Sequence, residues 1–480
     1  MSSSKSQEGL NFAKKWLGKT ELGAFAIRII QQQFLSEFRV RLFTNVSWSL
    51  IGEVASKGLL LAATVFVARM LGKEEYGEFG LVRTTIMMFA TFGGMGLGLT
   101  ANRYVAQFRD DNKSYCGKIL GLSYGLSTTC GLLMGIGVFV ASNYLSQTVM
   151  NAPQLAGALR LAAAMLFLSA INGAQIGILQ GLEAYRRIAL SSLVQGLSAI
   201  ILLPIGAYYF GRNGALIGLL GQIAISTLVL QRQVSARLDE LDLSISYEQL
   251  GEALPILWRF SIPAALCGIA VAPFKWLVES MLARESGFGQ LGIFSATMTV
   301  TAVFITVGST LNAPLITLAA HSGRGNAKIE HFTMYGSWYL FFVMALPCAL
   351  FPQLMQMFGK AFSGREFSQV MLLLLIYCGL QLYYQGLTRI FAIGGSLWFA
   401  FATNVFEGLS LYIFFAYFTN HRVVDLAWAY VVSYVVRIAF SIPLLLKYRT
   451  ISPGVLRDWR FVLTFASLGL LVGFRYFSVS

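Results

Sequence analysis

The stretch NVSWSLIGEVASKGLLLAATVFVAR, residues Asn45 to Arg69, decides the fold of this chain. Its length is close to the roughly 20 residues that an α-helix needs to cross the hydrocarbon core of a bilayer. Glu53 and Lys57 lie inside it, four positions apart and therefore on one face of the helix. Because a charge at the bilayer centre costs about 3 kcal/mol or more, we expect both side chains to face protein or water rather than lipid.

The composition extends this interpretation to the whole chain. Hydrophobic residues make up 56% of the 480 residues and charged residues 12%, which excludes an ordinary soluble protein. Mean hydropathy is +0.65. The sequence predicts an all-α polytopic membrane protein with 12 to 14 transmembrane helices. Twelve spans are expected near residues 45–69, 81–103, 118–144, 155–182, 188–210, 215–230, 260–282, 291–318, 332–351, 367–387, 397–418 and 426–446. Residues 461–474 are a candidate thirteenth span.

The spans group into two lobes of six. We predict a cytoplasmic amphipathic segment over residues 1–44, lobes over 45–230 and 260–446, a cytoplasmic linker over 231–259, and a C-terminal segment over 447–480. Lys and Arg concentrate in the N-terminal segment and the loops on its side of the membrane. This asymmetry predicts a cytoplasmic N-terminus, and the net charge of +14 also favours contact with anionic lipids.

The two lobes show an internal repeat. A shift of 215 residues places Ala68-Arg69 on Ala283-Arg284, Gly72 on Gly287 and Gly77 on Gly292 without a gap. The repeat keeps its direction in the membrane, because an even number of spans separates the copies. Parallel repeats of this kind are typical of transporters, in which the substrate site lies between the two halves. The sequence therefore predicts a transporter with a central site.

Several segments resemble a known family. They are ARMLGKEEYGEFGLV (68–82), LQGLEAYRRIA (179–189), LWRFSIPAAL (257–266), ARESGFGQLGIFSAT (283–297) and MFGKAF (357–362). Their order and spacing resemble the oligosaccharide flippases of O-antigen and exopolysaccharide synthesis, within the multidrug/oligosaccharidyl-lipid/polysaccharide exporter superfamily. The resemblance implies a two-lobed bundle in the bacterial inner membrane that moves an undecaprenyl-pyrophosphate-linked oligosaccharide outward by alternating access. It also implies an H⁺ or Na⁺ gradient as the driving force, and a polysaccharide polymerase and glycosyltransferases as partners.

A pyrophosphate head group requires a cationic cavity. The candidate ligands are Lys57, Arg83, Lys275 and Arg437. Lys57 and Lys275 lie on helices related by the repeat, so we expect both to flank the cavity. The alternative is that each lysine is neutralised by the acid on its own helix, Glu53 or Glu279. For Arg83 the alternative is anchoring at the membrane interface.

The acidic residues within the spans are candidates for ion coupling. Glu407 lies in the middle of a span and has no basic residue within four positions. Together with Glu53 or Glu279, it is predicted to bind H⁺ or Na⁺ or to act in gating. The alternative for Glu407 is a salt bridge to Arg437 on the next helix.

No catalytic, cofactor or metal site is predicted. The five cysteines form no CxxC pair, the three histidines have no ligand spacing, and the basic residues do not form one nucleic-acid-binding domain. Gly18-Lys19-Thr20 resembles the end of a phosphate loop, but Ala13 occupies the place of its first glycine. We therefore expect a transporter rather than an enzyme.

Three other functions compete with the flippase. A multidrug/cation antiporter of the same superfamily is the main alternative, although it calls for an acidic cavity. A flippase for lipid-linked peptidoglycan precursors is expected to need two further helices. A membrane glycosyltransferase or polymerase is expected to need a carboxylate-rich polar loop, which the segment 231–258 lacks beyond Asp239, Glu240 and Asp242.

Overall fold

The computed structural model describes residues 37–94, 96–252, 254–256, 261–312, 315, 327–350, 357–362, 364–394, 397–447, 463–467, 469–470 and 473. Across these residues the regular structure is helical, and no β-strand occurs among them. Helices suit an apolar environment because each backbone N–H and C=O finds its partner within the same segment.

The N-terminal lobe contains five helical elements, two of which cross the bundle twice. The elements are α1 (Glu37–Gly94), α2 (Leu97–Phe108), α3 (Lys113–Tyr144), α4 (Ala156–Gly181) and α5 (Tyr185–Glu240). Helix α1 is broken at Gly72 into α1a (37–71) and α1b (73–94). Helix α5 is broken at Phe210 and Gly211 into α5a (185–209) and α5b (212–240). The 12-residue helix α2 continues the pass of α1b. The lobe therefore has six passes, formed by α1a, α1b with α2, α3, α4, α5a and α5b.

The C-terminal lobe also has six passes. They are formed by α6 and α7 together (Ile262–Ile269 and Ala272–Ser286), α8 (Phe288–Ser309), α9 (Ala327–Leu350), α10 (Arg365–Gly394), α11 (Leu397–Phe418) and α12 (Val423–Lys447). The predicted all-α polytopic fold with two six-helix lobes is confirmed. Nine helical segments of the described residues are long and apolar enough to cross a membrane, with a shorter apolar one at Thr333–Leu346.

The helix bounds differ from the predicted spans at three places. Helix α1 begins at Glu37, within the predicted N-terminal segment, while residues 1–36 lie outside the described part. Helix α5 continues to Glu240, ten residues into the predicted linker 231–259. Of the candidate thirteenth span, only residues 463–467, 469–470 and 473 are described, so its crossing stays a prediction.

The backbone carries the same repeat that the sequence predicts. Gly72 ends α1a with φ +71° and ψ −178°. Its counterpart Gly287, between α7 and α8, has φ +87° and ψ +164°. Only glycine adopts this region without steric penalty, so both lobes use a glycine to turn the chain between their first and second passes.

The lobes meet through a reciprocal contact between α1b and α8. A Cβ atom added to Gly77 would lie 1.9 Å from the carbonyl oxygen of Phe288, and one added to Gly292 would lie 2.0 Å from that of Lys73. Lys73 and Phe288 are themselves repeat partners, so the two contacts are related by an approximate two-fold axis. Glycine at both positions allows the backbones this close approach. We call this side of the bundle the Gly72 end.

Candidate functional site

A cavity of about 440 Å³ lies between the two lobes. Helix α1b forms its N-lobe wall, and α6, α7, α8, α10 and α12 form the C-lobe wall. Tyr76 and Gly80 lie at its boundary nearest the Gly72 end, next to the contact between α1b and α8. Thr91, Gly268 and Ile305 lie furthest from that end. A cavity thus lies between the repeat-related lobes, where the sequence predicts the substrate site.

Of the described residues that line the cavity, the charged ones are Arg83, Lys275 and Glu279. Two cations face one carboxylate, which leaves an excess of one positive charge. Lys275 keeps 26% of its side chain exposed, and Arg83 is partly buried. Both can therefore present N–H donors to a negatively charged group in the cavity. An anion is the ligand that this charge balance favours.

Glu279 accepts hydrogen bonds from both lobes. The Thr84 hydroxyl of α1b donates to Glu279 Oε2 at 2.7 Å, and the Tyr430 hydroxyl of α12 donates to Oε1 at 3.1 Å. The side chain is 7% exposed. Among the described residues, no basic group forms an ion pair with this carboxylate. The hydrogen bond from Thr84 therefore links the lobes, and both hydrogen-bond donors to Glu279 are uncharged.

Lys275 forms its ion pair with Glu407 instead of Glu279. Lys275 Nζ lies 3.1 Å from Glu407 Oε1, and the guanidinium of Arg437 forms a second ion pair with the other carboxylate oxygen. Glu407 is 1% exposed. The cross-helix salt bridge to Arg437, left open by the sequence, is thus present and shared with Lys275. We call Lys275, Glu407 and Arg437 the charge triad.

Two neighbours hold Arg437 in the charge triad. Its guanidinium donates to Asn404 Oδ1, and Asn404 Nδ2 donates to the Cys267 carbonyl at 2.6 Å. The guanidinium carbon also lies 4.0 Å from the centre of the Tyr384 ring, a cation–π distance. Arg437 does not line the cavity. These contacts indicate a structural role, in which Arg437 holds the Glu407 carboxylate next to Lys275.

The remaining predicted site residues lie apart from the cavity. Glu53 and Lys57 are partly buried on α1a, and neither belongs to the cavity lining. No ion pair joins them to each other in the described part of the chain. The structure thus brings Arg83, Lys275 and Glu279 to the cavity, places Glu407 and Arg437 behind Lys275, and leaves Glu53 and Lys57 elsewhere.

Sequence reasoning missed several residues of this region. Thr84 and Tyr430 carry no motif, because a lone hydroxyl in a span is common. Asn404 lies three positions before Glu407, and that helical spacing was a usable signal. Arg389 lies close to the end of a predicted span, yet it is 1% exposed within α10. It donates to Asn312 Oδ1, just after α8, at 2.7 Å and to the Thr333 carbonyl of α9 at 2.8 Å, which fixes both against α10.

The segment LQGLEAYRRIA forms ion pairs at the end of the N-lobe opposite the Gly72 end. Glu183 has φ +53° at the turn after α4 and pairs with Arg109 at 3.0 Å. Burial acts to lower the pKa of Arg109, but the Glu183 and Asp110 carboxylates together outweigh it and hold that pKa above its ordinary value. Arg187 donates to Gln233 at 2.9 Å. Through these contacts the segment connects the end of α2 with α4 and α5.

The described helices have the fold found in transporters of the multidrug/oligosaccharidyl-lipid/polysaccharide exporter superfamily. An inward-facing multidrug-resistance MATE transporter of that superfamily superposes with a TM-score of 0.64 at 19% identity, covering 82% of this chain and 96% of the MATE chain. At this identity the similarity establishes the fold alone.

Sequence comparison then points to polysaccharide biosynthesis. Residues 42–234 match the family described as "Polysaccharide biosynthesis protein". The succinoglycan biosynthesis transport protein ExoT of Rhizobium meliloti (strain 1021) is 26% identical over 186 residues, 38% of this chain and 35% of ExoT. The EPS I polysaccharide export inner membrane protein EpsE of Ralstonia solanacearum is 24% identical over 310 residues, 62% of this chain and 68% of EpsE. The match to ExoT thus spans about a third of its length. These matches confirm the resemblance to the polysaccharide branch of the superfamily.

Proposed function

We propose that this protein exports an undecaprenyl-pyrophosphate-linked oligosaccharide across the bacterial inner membrane for the synthesis of O-antigen or exopolysaccharide. The observation that carries the proposal is the pair of cations, Arg83 and Lys275, in a cavity between two repeat-related lobes. A sugar–pyrophosphate cannot cross hydrocarbon unaided, because its polar and charged groups would lose their hydration. Two cations against one carboxylate suit this head group.

The names of the relatives support an exporter of polysaccharide rather than an enzyme. One is described as a transport protein of succinoglycan biosynthesis and the other as an inner membrane export protein. In this role the protein lies among anionic lipids, keeps its N-terminus in the cytoplasm, and works beside glycosyltransferases and a polysaccharide polymerase.

We further propose that transport follows alternating access, with the Gly72 end as the outer gate. The predicted orientation places this end at the outer face. Here the lobes are joined by the contact between α1b and α8, and by a hydrogen bond from Arg69 to the Met357 carbonyl. In the proposed orientation these contacts close the outer side, and release requires them to separate.

The multidrug/cation antiporter remains the alternative, because a MATE transporter shares the fold. The cavity charge argues against it. A cationic drug would lie against Arg83 and Lys275 with only Glu279 to attract it. An ethidium efflux assay separates the two functions, since only the antiporter would move this cation against its gradient.

Replacing either cavity cation is expected to weaken head-group binding. We predict that Arg83→Ala and Lys275→Met each reduce affinity for a soluble sugar pyrophosphate by about tenfold, which corresponds to one charge-assisted contact of about 1.4 kcal/mol. Calorimetry on purified protein measures this directly. Lys57→Met serves as the comparison. Equal losses for all three variants would argue for a general charge effect and against a site at the cavity.

Glu279 is the carboxylate we propose for coupling to a proton. Glu407 already neutralises two cations, whereas Glu279 faces the cavity and accepts only hydroxyl donors. The groups around it are Thr84 and Arg83 from α1b, Lys275 one turn away on α7, and Tyr430 from α12. Protonation would remove one acceptor between the lobes and loosen their contact. Na⁺ coupling and a role for Glu53 stay open alternatives.

Glu279→Gln is expected to remove the pH dependence of transport. The amide keeps one acceptor and cannot ionise, so the rate should stay nearly constant as the pH is varied between about 6 and 8. Flux measured in proteoliposomes with imposed pH gradients checks this. Glu285→Gln, an exposed acid on the same helix, is the control. If flux through the Glu279→Gln variant still depends on the pH gradient, a group other than Glu279 couples transport to the proton.

A further inference from the structure

A lipid-linked substrate poses a second problem besides its head group. The isoprenoid chain is apolar and stays in the bilayer while the head group occupies the cavity. It must therefore leave the protein sideways, at the depth of the head group. Lys275 lies near the middle of the pass formed by α6 and α7, so the exit must also lie near mid-membrane. This requirement rests on the proposed function.

An apolar recess of about 420 Å³ lies at that depth. Phe89 and Phe92 of α1b, Met134 of α3, and Phe274 and Leu277 of α7 are among the residues that line it, and no charged residue lines it in the described part of the chain. The recess is formed by both lobes, because α1b and α3 belong to the first lobe and α7 to the second. The Phe274 ring packs directly against the backbone of Gly408, where an added Cβ atom would lie 2.3 Å from the ring.

The recess and the cavity share a thin wall. Met88 lines both spaces. On α7, Ala272 and Lys275 face the cavity, whereas Phe274 and Trp276 face the recess. The Trp276 indole donates to the Thr85 hydroxyl at 2.9 Å, which joins α7 to α1b across this wall. Separating the two lobes along this contact would connect the two spaces.

We infer that this recess between α1b, α3 and α7 binds the polyisoprenyl chain of the transported lipid. Its occupant is indicated by the charge next to it, since the cations Arg83 and Lys275 lie across the wall from a wholly apolar lining. An anionic head joined directly to a long apolar chain matches both spaces at once. The methionine side chains suit a branched, unsaturated chain, because a flexible thioether adapts to irregular shapes. The wall of Met88 and the Trp276–Thr85 hydrogen bond is the place where the chain passes from one space to the other.

The test fills the recess without touching the cavity. Met134→Trp places a large side chain in the recess, and Leu133→Trp is the matched control, because Leu133 is 60% exposed on α3 and does not line the recess. The two variants are purified and compared with the wild type. Binding is measured with two probes, undecaprenyl pyrophosphate and a pyrophosphate on a two-isoprene chain.

The inference predicts a selective loss. Met134→Trp should weaken undecaprenyl pyrophosphate binding by at least about tenfold and leave the short-chain probe within about twofold of the wild type. Leu133→Trp should match the wild type with both probes, and phosphatidylglycerol should not compete. Equal binding of undecaprenyl pyrophosphate by Met134→Trp and Leu133→Trp, or competition by phosphatidylglycerol, would overturn the proposed tail site. Neither result would contradict the proposed export function. Failure of the wild type to bind either probe would overturn the exporter and the tail site together.

Discussion

Glu407→Gln is expected to destabilise the protein by about 3 to 5 kcal/mol. The substitution leaves the Lys275 ammonium and the Arg437 guanidinium close together without a counter-charge, in a place where Glu407 is 1% exposed. A buried ion pair that loses one member leaves the other uncompensated, and this penalty exceeds the value of the pair itself. Thermal unfolding in detergent, followed by the exposure of buried cysteines, measures the effect.

A double variant separates charge from packing. Glu407→Gln combined with Arg437→Gln removes one charge of each sign, leaving Lys275 partly exposed at the cavity. We expect it to recover more than half of the stability lost by Glu407→Gln alone. Glu285→Gln, an exposed acid, should change stability by less than about 0.5 kcal/mol. If Glu407→Gln unfolds at the same temperature as Glu285→Gln, the charge triad does not contribute to stability.

Cross-linking Gly80 to Ser295 is expected to stop transport. These two residues are repeat partners, and a Cβ atom added to Gly80 would lie 2.9 Å from the Ser295 Cβ atom. Disulfide-bonded Cβ atoms are about 3.8 Å apart, so α1b and α8 must separate only slightly to accept the bond. In a chain whose five cysteines are first replaced, Gly80→Cys with Ser295→Cys should hold the gate closed. Flux in oxidised proteoliposomes should fall to background.

Reduction distinguishes a locked gate from a damaged one. Dithiothreitol should restore flux in the double variant to the level of the two single variants measured separately. Flux that persists after complete oxidation, verified by the loss of free thiols, would mean that α1b and α8 stay together during transport. The Gly72 end would then not be a gate.

The fold was largely predictable because its determinants are local. Each predicted lobe follows from the length and apolar content of its spans, and the repeat follows from glycines that the chain needs at fixed places. Gly72 and Gly287 share a backbone conformation that only glycine tolerates, and Gly77 and Gly292 share a close contact. Such constraints keep glycine at equivalent positions of the two lobes, and the repeat is therefore visible in the sequence at a constant shift.

The site was less predictable because its contacts join distant segments. The spacing of Lys275 and Glu279 on one helix pointed to a pair, yet Lys275 binds Glu407 on α11, and Glu279 binds hydroxyls on α1b and α12. Hydroxyl side chains are uncharged and common in spans, so the sequence does not distinguish Thr84 or Tyr430 from other such residues. Lys57 and Lys275 are both charges within spans, on helices related by the repeat, but their positions in the repeat differ, and of the two Lys275 alone lines the cavity.

Translocation by the purified protein tests the central claim most directly. The claim is that a cationic cavity between two lobes carries a pyrophosphate-linked oligosaccharide. Proteoliposomes would be loaded with three fluorescent substrates: the undecaprenyl-pyrophosphate-linked oligosaccharide, the same sugar on uncharged polyprenol, and ethidium. We predict that only the first crosses, and that Arg83→Ala combined with Lys275→Met reduces its rate by about a hundredfold. Equal transfer of the charged and uncharged lipids, or transfer of ethidium alone, would contradict the claim.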